Sequence, residues 1–108
     1  MAQIKLDTLV NFTTQFSSMI NAHIPLMKIL INLEKDVLDV KFAKVLADIR
    51  GDVEKGYDFA HSLKKHPDAF DTIYVNMVNA GMESGRLDTV LNQLSIYLTK
   101  ASQTASKI

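Results

Sequence analysis

One stretch of the sequence decides the fold of this chain: residues 74–98, which read YVNMVNAGMESGRLDTVLNQLSIYL. From residue 87 onward the apolar side chains recur at three- and four-residue steps, the spacing of one face of an α-helix. They are Leu87, Val90, Leu91, Leu94 and Leu98, and the series continues at Ala101. The first part of the stretch shows the same spacing up to Gly81. The stretch therefore predicts two helices joined by a corner at residues 79–88.

The corner contains two glycines, Gly81 and Gly85, with small residues beside them. Because glycine lacks a side chain, it permits a sharp reversal and a close approach of two backbones. The first interpretation is a helix hairpin. In it the fifth helix runs to Gly81, this glycine relieves crowding, and Ser84 or Gly85 begins the last helix.

The corner also carries three charged residues, Glu83, Arg86 and Asp88. A second interpretation is therefore a recognition corner, in which these side chains are offered to a partner or to an intramolecular network. The spacing by itself favours the hairpin. The recognition role is a hypothesis about the same residues.

The same helical spacing appears in three earlier segments of the chain. The first apolar stripe consists of Leu6, Leu9, Val10, Thr13, Phe16 and Ile20. The second consists of Leu26, Ile29, Leu30 and Leu33. The third consists of Leu38, Phe42, Val45, Leu46, Ile49 and Val53. Each stripe predicts a helix that buries this face.

Turn and capping residues mark where these helices begin and end. Asp7 can cap the first helix or place a favourable charge at its start. Pro25 is expected as the first residue of the second helix, because proline has no N–H to leave unpaired in the first turn. Gly56 is expected to end the third helix, since glycine readily adopts the left-handed conformation found at helix ends.

Two shorter segments are bounded in the same way. Asp58 is expected to cap a short fourth helix, which Pro67 ends. Asp71 is expected to cap the fifth helix, because Phe70 and Val75 stand on either side of it at the positions of a hydrophobic staple.

The six predicted helices have short connections, and no alternating strand pattern competes with them. They predict an all-α fold, a compact bundle of antiparallel helices. The chain has 108 residues and no linker rich in proline or glycine. We therefore expect a single domain over residues 1–108, with its core over residues 6–100.

The charge balance argues against two classes of function. The chain has 12 Lys and Arg residues against 12 Asp and Glu residues, whereas proteins that bind nucleic acid or anionic membranes carry a basic excess. It has no cysteine, so disulfides and thiolate chemistry are absent. The longest apolar stretch, residues 24–33, contains Pro25, Lys28 and Asn32, and a spanning helix needs roughly 20 apolar residues.

The sequence offers few candidates for chemistry. His61 and His66 are about 140° apart around a helix, so they do not share a metal ion. Asp48 and Asp52 face the same way, but a hard cation needs more oxygens than two carboxylates supply, so a solvated face is favoured. Residues 64–66, Lys-Lys-His, are interpreted as the positive end that complements the dipole of the fourth helix. We therefore expect no catalytic residue, no metal, no cofactor and no enzymatic activity.

At the corner the sequence resembles a known family. The string from Tyr74 to Leu91 resembles the signature of the type II secretion F family, which includes the inner-membrane platform proteins of type IV pili. Four other segments resemble the family in the same order: its opening helix, its turn before the second helix, its Glu-x-Gly segment and its His-Pro step. They are Phe12–Ile20, Ala22–Leu26, Glu54–Leu63 and His66–Phe70.

Two positions depart from the family pattern. His23 stands where the family usually has glycine, and Met82 stands where it has glutamate after the corner glycine. Glu83 is then the remaining carboxylate, which weakens a metal or salt-bridge role at the corner. The departures favour a divergent member, from a specialised pilus system rather than a general secretion machine.

The resemblance implies a cytoplasmic helical domain at the cytoplasmic face of the bacterial inner membrane. The domain is expected to be the amino-terminal one of a pair in a longer polytopic protein, which reaches the membrane through segments absent from this chain. The implied partners are the assembly ATPase, which the platform links to pilin or pseudopilin subunits, other inner-membrane platform components and further copies of the chain. The alternative is a stand-alone cytosolic adaptor built from helices.

Overall fold

The structure is a computed structural model that describes residues 4–106. It contains six α-helices with short connections, and no β-strand occurs among these residues. The helices are α1 (Leu6–Asn21), α2 (Leu26–Asp36), α3 (Val40–Glu54), α4 (Phe59–Lys64), α5 (Thr72–Ser84) and α6 (Leu87–Ser106). The predicted all-α bundle is confirmed. Within the same residues, no helix combines the length and the apolar character needed to cross a membrane.

The first and last helices are neighbours. Helix α1 packs against both α6 and α2, and α6 also packs against α5. Asp7 at the start of α1 accepts a hydrogen bond of 2.8 Å from Ser102 near the end of α6. The hydroxyls of Thr14 and Ser95 lie 2.9 Å apart farther along the same pair. Helices α1 and α6 therefore run antiparallel and close the bundle.

The core is built around the rings of all five phenylalanines and one tyrosine, which we call the ring cluster. Phe12 of α1 packs edge-on against Phe42 of α3, with ring centroids 5.1 Å apart. Its ring also lies 6.2 Å from that of Phe70 in the α4–α5 connection. The members of the cluster are Phe12, Phe16, Phe42, Phe59, Phe70 and Tyr74. Because all six are buried and edge or tilted ring contacts add to the gain from burial, the cluster ties α1, α3, α4 and α5 together.

One polar pair lies inside this core. The hydroxyls of Thr13 and Tyr74 are 2.8 Å apart, and both residues are buried. Burial raises the pKa of the Tyr74 phenol above its usual value, and the hydrogen bond to Thr13 acts in the opposite direction. Each hydroxyl therefore supplies the partner that the other needs away from water.

The buried face of α1 is wider than the predicted stripe. Its buried residues are Phe12, Thr13, Phe16 and Ser17. Other members of the predicted stripe are half-buried, namely Leu6, Leu9, Val10 and Ile20. The stripe omitted Phe12 and Ser17 because it assumed one neighbour, whereas α1 packs against helices on more than one side.

The predicted helix boundaries need two small corrections. Pro25 is the N-terminal cap of α2 rather than its first residue, and the helix begins at Leu26. Lys5 occupies the cap position of α1, so Asp7 contributes charge in the first turn and does not cap. Gly56 follows α3 with φ +90°, which confirms the left-handed conformation expected there.

Three aspartates begin helices by the same mechanism. The carboxylate of Asp58 accepts from the His61 N–H at 3.0 Å, and that of Asp71 accepts from the Tyr74 N–H at 2.8 Å. Both caps were predicted. Asp39 caps α3 in the same way, although this cap was not predicted.

The assignment of Leu38 to the buried stripe of α3 is wrong. Leu38 is 97% exposed, and α3 begins after it because Asp39 caps the helix. Its spacing from Phe42 fits a helical face, but the backbone at Leu38 lies outside the helix. Helix α4 ends at Lys64, and Pro67 lies in the connection to α5, as predicted.

Tyr74→Phe removes the partner of a buried hydroxyl. We expect it to lower the free energy of unfolding by about 1–2 kcal/mol, because the Thr13 hydroxyl then stays buried without its hydrogen bond. Adding Thr13→Val should recover part of this loss, since neither hydroxyl remains. Urea unfolding of the wild type, both single variants and the double variant measures the coupling. A double variant whose loss equals the sum of the two single losses contradicts this account of the pair.

Candidate functional site

The corner between α5 and α6 is a helix hairpin whose glycines act differently from the prediction. Helix α5 continues past Gly81 to Ser84, and Gly85 ends it in the left-handed conformation with φ +71°. The carbonyl oxygen of Gly81 accepts the N–H of Arg86 at 2.8 Å, the bond that closes a Schellman-type helix end. Gly85 therefore ends the fifth helix and does not begin the last one, which starts at Leu87.

Gly81 lies inside α5 where this helix meets α6. A Cβ atom added at Gly81 lies 3.0 Å from Val90 Cγ2 and 3.2 Å from Leu87 Cα. The predicted relief of crowding is confirmed, although the residue is not at the helix end. At Gly85 an added Cβ meets nothing within 4 Å. Glycine is required there by the backbone conformation and not by space.

The polar side chains of the corner point to solvent. Glu83, Arg86 and Asp88 are exposed, and no salt bridge joins them within residues 4–106. Glu83 has a long hydrogen bond of 3.5 Å from the side chain of Asn79, and the Ser84 hydroxyl donates to the Gly81 carbonyl at 3.4 Å. Of the two roles weighed for the charges, the intramolecular network is therefore not formed.

The turn between α1 and α2 lies beside the corner. His23 in this turn has φ +64°, the one positive φ at a non-glycine residue among those described. The N–H of Ile24 bonds to the carbonyl of Met19 at 3.1 Å across it, so His23 occupies the left-handed position of a helix end. The glycine expected there from the family pattern suits this conformation better than histidine does.

A surface depression of about 350 Å³ lies between this turn and the corner. The apolar side chains of Ile20, Met82 and Leu87 line it together with His23 and Asp88. Both departures from the family pattern, His23 and Met82, therefore lie at the same place. The sequence gives no signal that the two positions meet, because His23 lies in the turn between α1 and α2 whereas Met82 lies in the last turn of α5.

Asp48 and Asp52 of α3 form salt bridges with Lys65. Lys65 Nζ lies 2.7 Å from Asp52 and 3.5 Å from Asp48, and His66 Nε2 lies 2.7 Å from Asp48. The Lys65 hydrogen bond, with a second from Ser62, holds the pKa of Asp52 below its usual value. Asp48 is exposed, as the predicted solvated face requires, whereas Asp52 is largely covered and is paired with Lys65. Lys65 and His66 pair with α3 instead of only complementing the dipole of α4.

The remaining predicted turn residues do not join the corner. Pro25 follows His23 closely in sequence, whereas Gly56 lies between α3 and α4 and Pro67 between α4 and α5. Within the part of the chain that the structure describes, no group of three or more His, Cys, Asp or Glu side chains is placed to hold a metal ion. The corner and its depression are therefore the candidate site.

Comparison with known sequences gives one family. Residues 12–108 match the family described as type II secretion system (T2SS), protein F. The type IV pilus assembly protein PilC of Myxococcus xanthus is 43% identical over 102 residues, which cover 94% of this chain and 24% of that protein. The protein of the same name in Thermus thermophilus is 38% identical over 103 residues, 95% of this chain and 25% of that protein.

A relative from a secretion system is also similar. The type II secretion system protein F of Xanthomonas campestris is 34% identical over 100 residues, which cover 93% of this chain and 25% of that protein. The chain thus spans about a quarter of the length of the curated relatives it matches.

Gly81 of α5 and Gly51 of α3 give a matched test of the close approach between α5 and α6. Gly81→Ala should lower the free energy of unfolding by about 1–3 kcal/mol, because the new methyl group overlaps with α6. Gly51→Ala should raise it by about 0.5–1 kcal/mol, because alanine favours the helix and an added Cβ meets nothing within 4 Å. Thermal or urea unfolding of both variants measures the difference. Equal effects of the two substitutions contradict the close contact.

Replacing His23 tests the left-handed turn. His23→Gly should be more stable than His23→Ala by about 1 kcal/mol, because glycine adopts a positive φ without the clash that a Cβ causes. The alanine variant is the control, since it also removes the imidazole. Chemical unfolding of the two variants measures the difference. Equal stabilities show that the turn relaxes to a conformation that alanine tolerates.

Proposed function

The chain belongs to the type II secretion system protein F family, and we propose that it is a cytoplasmic scaffold domain of an inner-membrane platform protein for type IV pilus or type II secretion assembly. In this role it binds the assembly ATPase and links it to the polymerisation of pilin or pseudopilin subunits. Relatives that match nearly the whole of this chain are named as pilus assembly and secretion system proteins. The observation that supports a contact with a partner is the exposure of the corner between α5 and α6.

The corner is suited to recognition because its backbone path is set by two glycines and its charged side chains are exposed and form no salt bridge among the described residues. Gly81 and Gly85 set the path of the chain, so little conformational entropy is lost when a partner binds. Glu83, Arg86 and Asp88 are exposed on this path. Charged side chains of this kind select partners and speed their encounter more than they add affinity.

The depression beside the corner supplies the apolar part of the contact. Ile20, Met82 and Leu87 line it, and Met82 is 37% exposed. A partner side chain that enters it is removed from water, while the charged residues lie at the rim. An apolar centre with a polar rim is the usual anatomy of a protein interface.

Every buried polar side-chain atom in the described residues has a hydrogen-bond partner. Asp52, Lys65 and Ser62 join α3 to α4, and the Thr13 and Tyr74 hydroxyls satisfy each other in the core. A catalytic site needs a nucleophile, a base and a stabilising group around one space. We therefore propose transmission of contacts and motion, with no chemical step and no cofactor.

The proposal extends to the arrangement at the membrane. We place the domain at the cytoplasmic face of the inner membrane, as the amino-terminal of two such domains, with membrane segments outside this chain. The other partners proposed are further platform components and a second copy of the platform protein. The share of the relatives that the chain covers, about a quarter, fits one domain of a larger protein.

Charge reversal at the corner tests the proposed contact. Glu83→Lys and Arg86→Glu should each weaken binding of the purified assembly ATPase at least tenfold, because both charges lie exposed at the proposed interface. The free energy of unfolding should change by less than about 0.5 kcal/mol, since neither side chain is buried. Calorimetric titration measures the affinity, and urea unfolding checks the fold.

The control is Lys28→Glu, a charge reversal at an exposed position of α2 outside the corner. It should leave the affinity unchanged. Unchanged affinity in both corner variants assigns the corner to the hairpin alone. Failure of the wild-type chain to bind the ATPase or any other platform component contradicts the scaffold role.

A further inference from the structure

A groove lies at the end of the bundle opposite the corner. It is formed where the first turns of α1, the α4–α5 connection, the start of α5 and the middle of α6 meet, and its volume is about 320 Å³. The apolar side chains that line it include Leu6, Leu9, Ile73, Leu94, Tyr97 and Leu98. We call it the α1–α5–α6 groove.

Two large side chains of this groove remain exposed. Ile73 of α5 is 55% exposed and Tyr97 of α6 is 53% exposed. They come from different helices and line the same space. A tyrosine at such a position covers much area with few rotatable bonds, which is why tyrosine is common at the centres of interfaces. Ile73 and Tyr97 therefore form an exposed apolar patch on which a partner side chain can pack.

The charge at this groove has one sign. Asp68 and Asp71 both line it and both are exposed. Of the described residues that line the groove, none carries a positive charge. Asp71 also caps α5 by accepting a hydrogen bond from the Tyr74 N–H. The complement of this groove is an apolar group next to a cation.

We propose that the α1–α5–α6 groove docks a segment of another protein that carries apolar side chains flanked by lysine or arginine. The apolar side chains enter between Ile73 and Tyr97, and the cation lies against Asp68 and Asp71. Apolar burial supplies the affinity, and the carboxylates select the sign of the partner.

Two other occupants fit the charge less well. A bilayer with anionic lipids is repelled by the carboxylates, because surface binding of this kind depends on lysine and arginine. A second copy in a twofold contact brings the same patch to both sides of the interface. Asp68 and Asp71 of each copy then face an identical acidic patch, which is unfavourable.

The groove and the corner are separate surfaces. Helix α5 runs between them, since Ile73 lies in its first turn and Gly81 in its last, and at 1.5 Å per residue the separation is about 12 Å along the axis. Variants of one surface therefore leave the other intact. Failure of the groove proposal is distinguishable from failure of the scaffold role.

The test is a selection of random 12-residue peptides displayed on phage against the 108-residue chain. Peptides that also bind the double variant Ile73→Ser, Tyr97→Ser are removed. The recovered peptides should combine apolar residues with lysine or arginine. Their affinity, measured by fluorescence anisotropy of labelled synthetic peptides, should fall at least tenfold in either single serine variant. Asp68→Asn should weaken them several-fold, as should added salt.

The chain offers a matched control for each substitution. Ile96→Ser replaces an isoleucine of α6 that is 53% exposed, and Tyr57→Ser replaces a tyrosine that is 62% exposed; neither residue lines the groove. Both controls, and Glu83→Lys at the corner, should retain peptide affinity. Urea unfolding verifies that each groove variant is folded.

Four outcomes overturn the proposal. They are recovery of no groove-dependent peptide, recovery of acidic peptides, binding to phosphatidylserine vesicles that depends on Ile73 and Tyr97, and a dimer in analytical ultracentrifugation that Tyr97→Ser abolishes. The third assigns the groove to a membrane and the fourth to a second copy of the chain.

Discussion

The contact of Phe12 with Phe42 and Phe70 is the constraint on which the rest of the structure depends. It brings α1 against α3 and against the α4–α5 connection, with ring centroids 5.1 Å and 6.2 Å apart. Tyr74 continues the cluster into α5 at 5.0 Å from Phe70. Helix α6 packs along both α1 and α5, and its contact with α5 at Gly81 sets the geometry of the corner.

The corner combines a close helix contact with exposed charged side chains. Gly81 lets α5 and α6 approach closely, and Gly85 turns the chain without strain. Val90 and Leu87 of α6 fill this contact, and the charged side chains of Glu83, Arg86 and Asp88 are exposed. The constraint that closes the core thus also exposes the residues that we propose bind a partner.

Local features were predicted well from the sequence. The caps Asp58 and Asp71 and the left-handed Gly56 were identified because a few neighbouring residues determine them. Leu38 was misplaced because the cap at Asp39, which the analysis missed, starts α3 later. Gly81 relieves crowding as predicted, but Gly85 ends α5 instead of beginning α6, because the end of α5 depends on where α6 crosses it. The Asp52–Lys65 pair and the depression shared by His23 and Met82 join separate elements, and no local pattern reports such contacts.

We propose that the corner meets a partner while the ring cluster stays unchanged. Titration of the isotope-labelled chain with the assembly ATPase, followed by amide chemical shifts, separates these two regions. We expect shifts concentrated at residues 81–88 and at His23, with little change at Phe12, Phe42 and Phe70. Shifts centred on α3 or spread through the ring cluster, with residues 81–88 unaffected, would contradict this proposal.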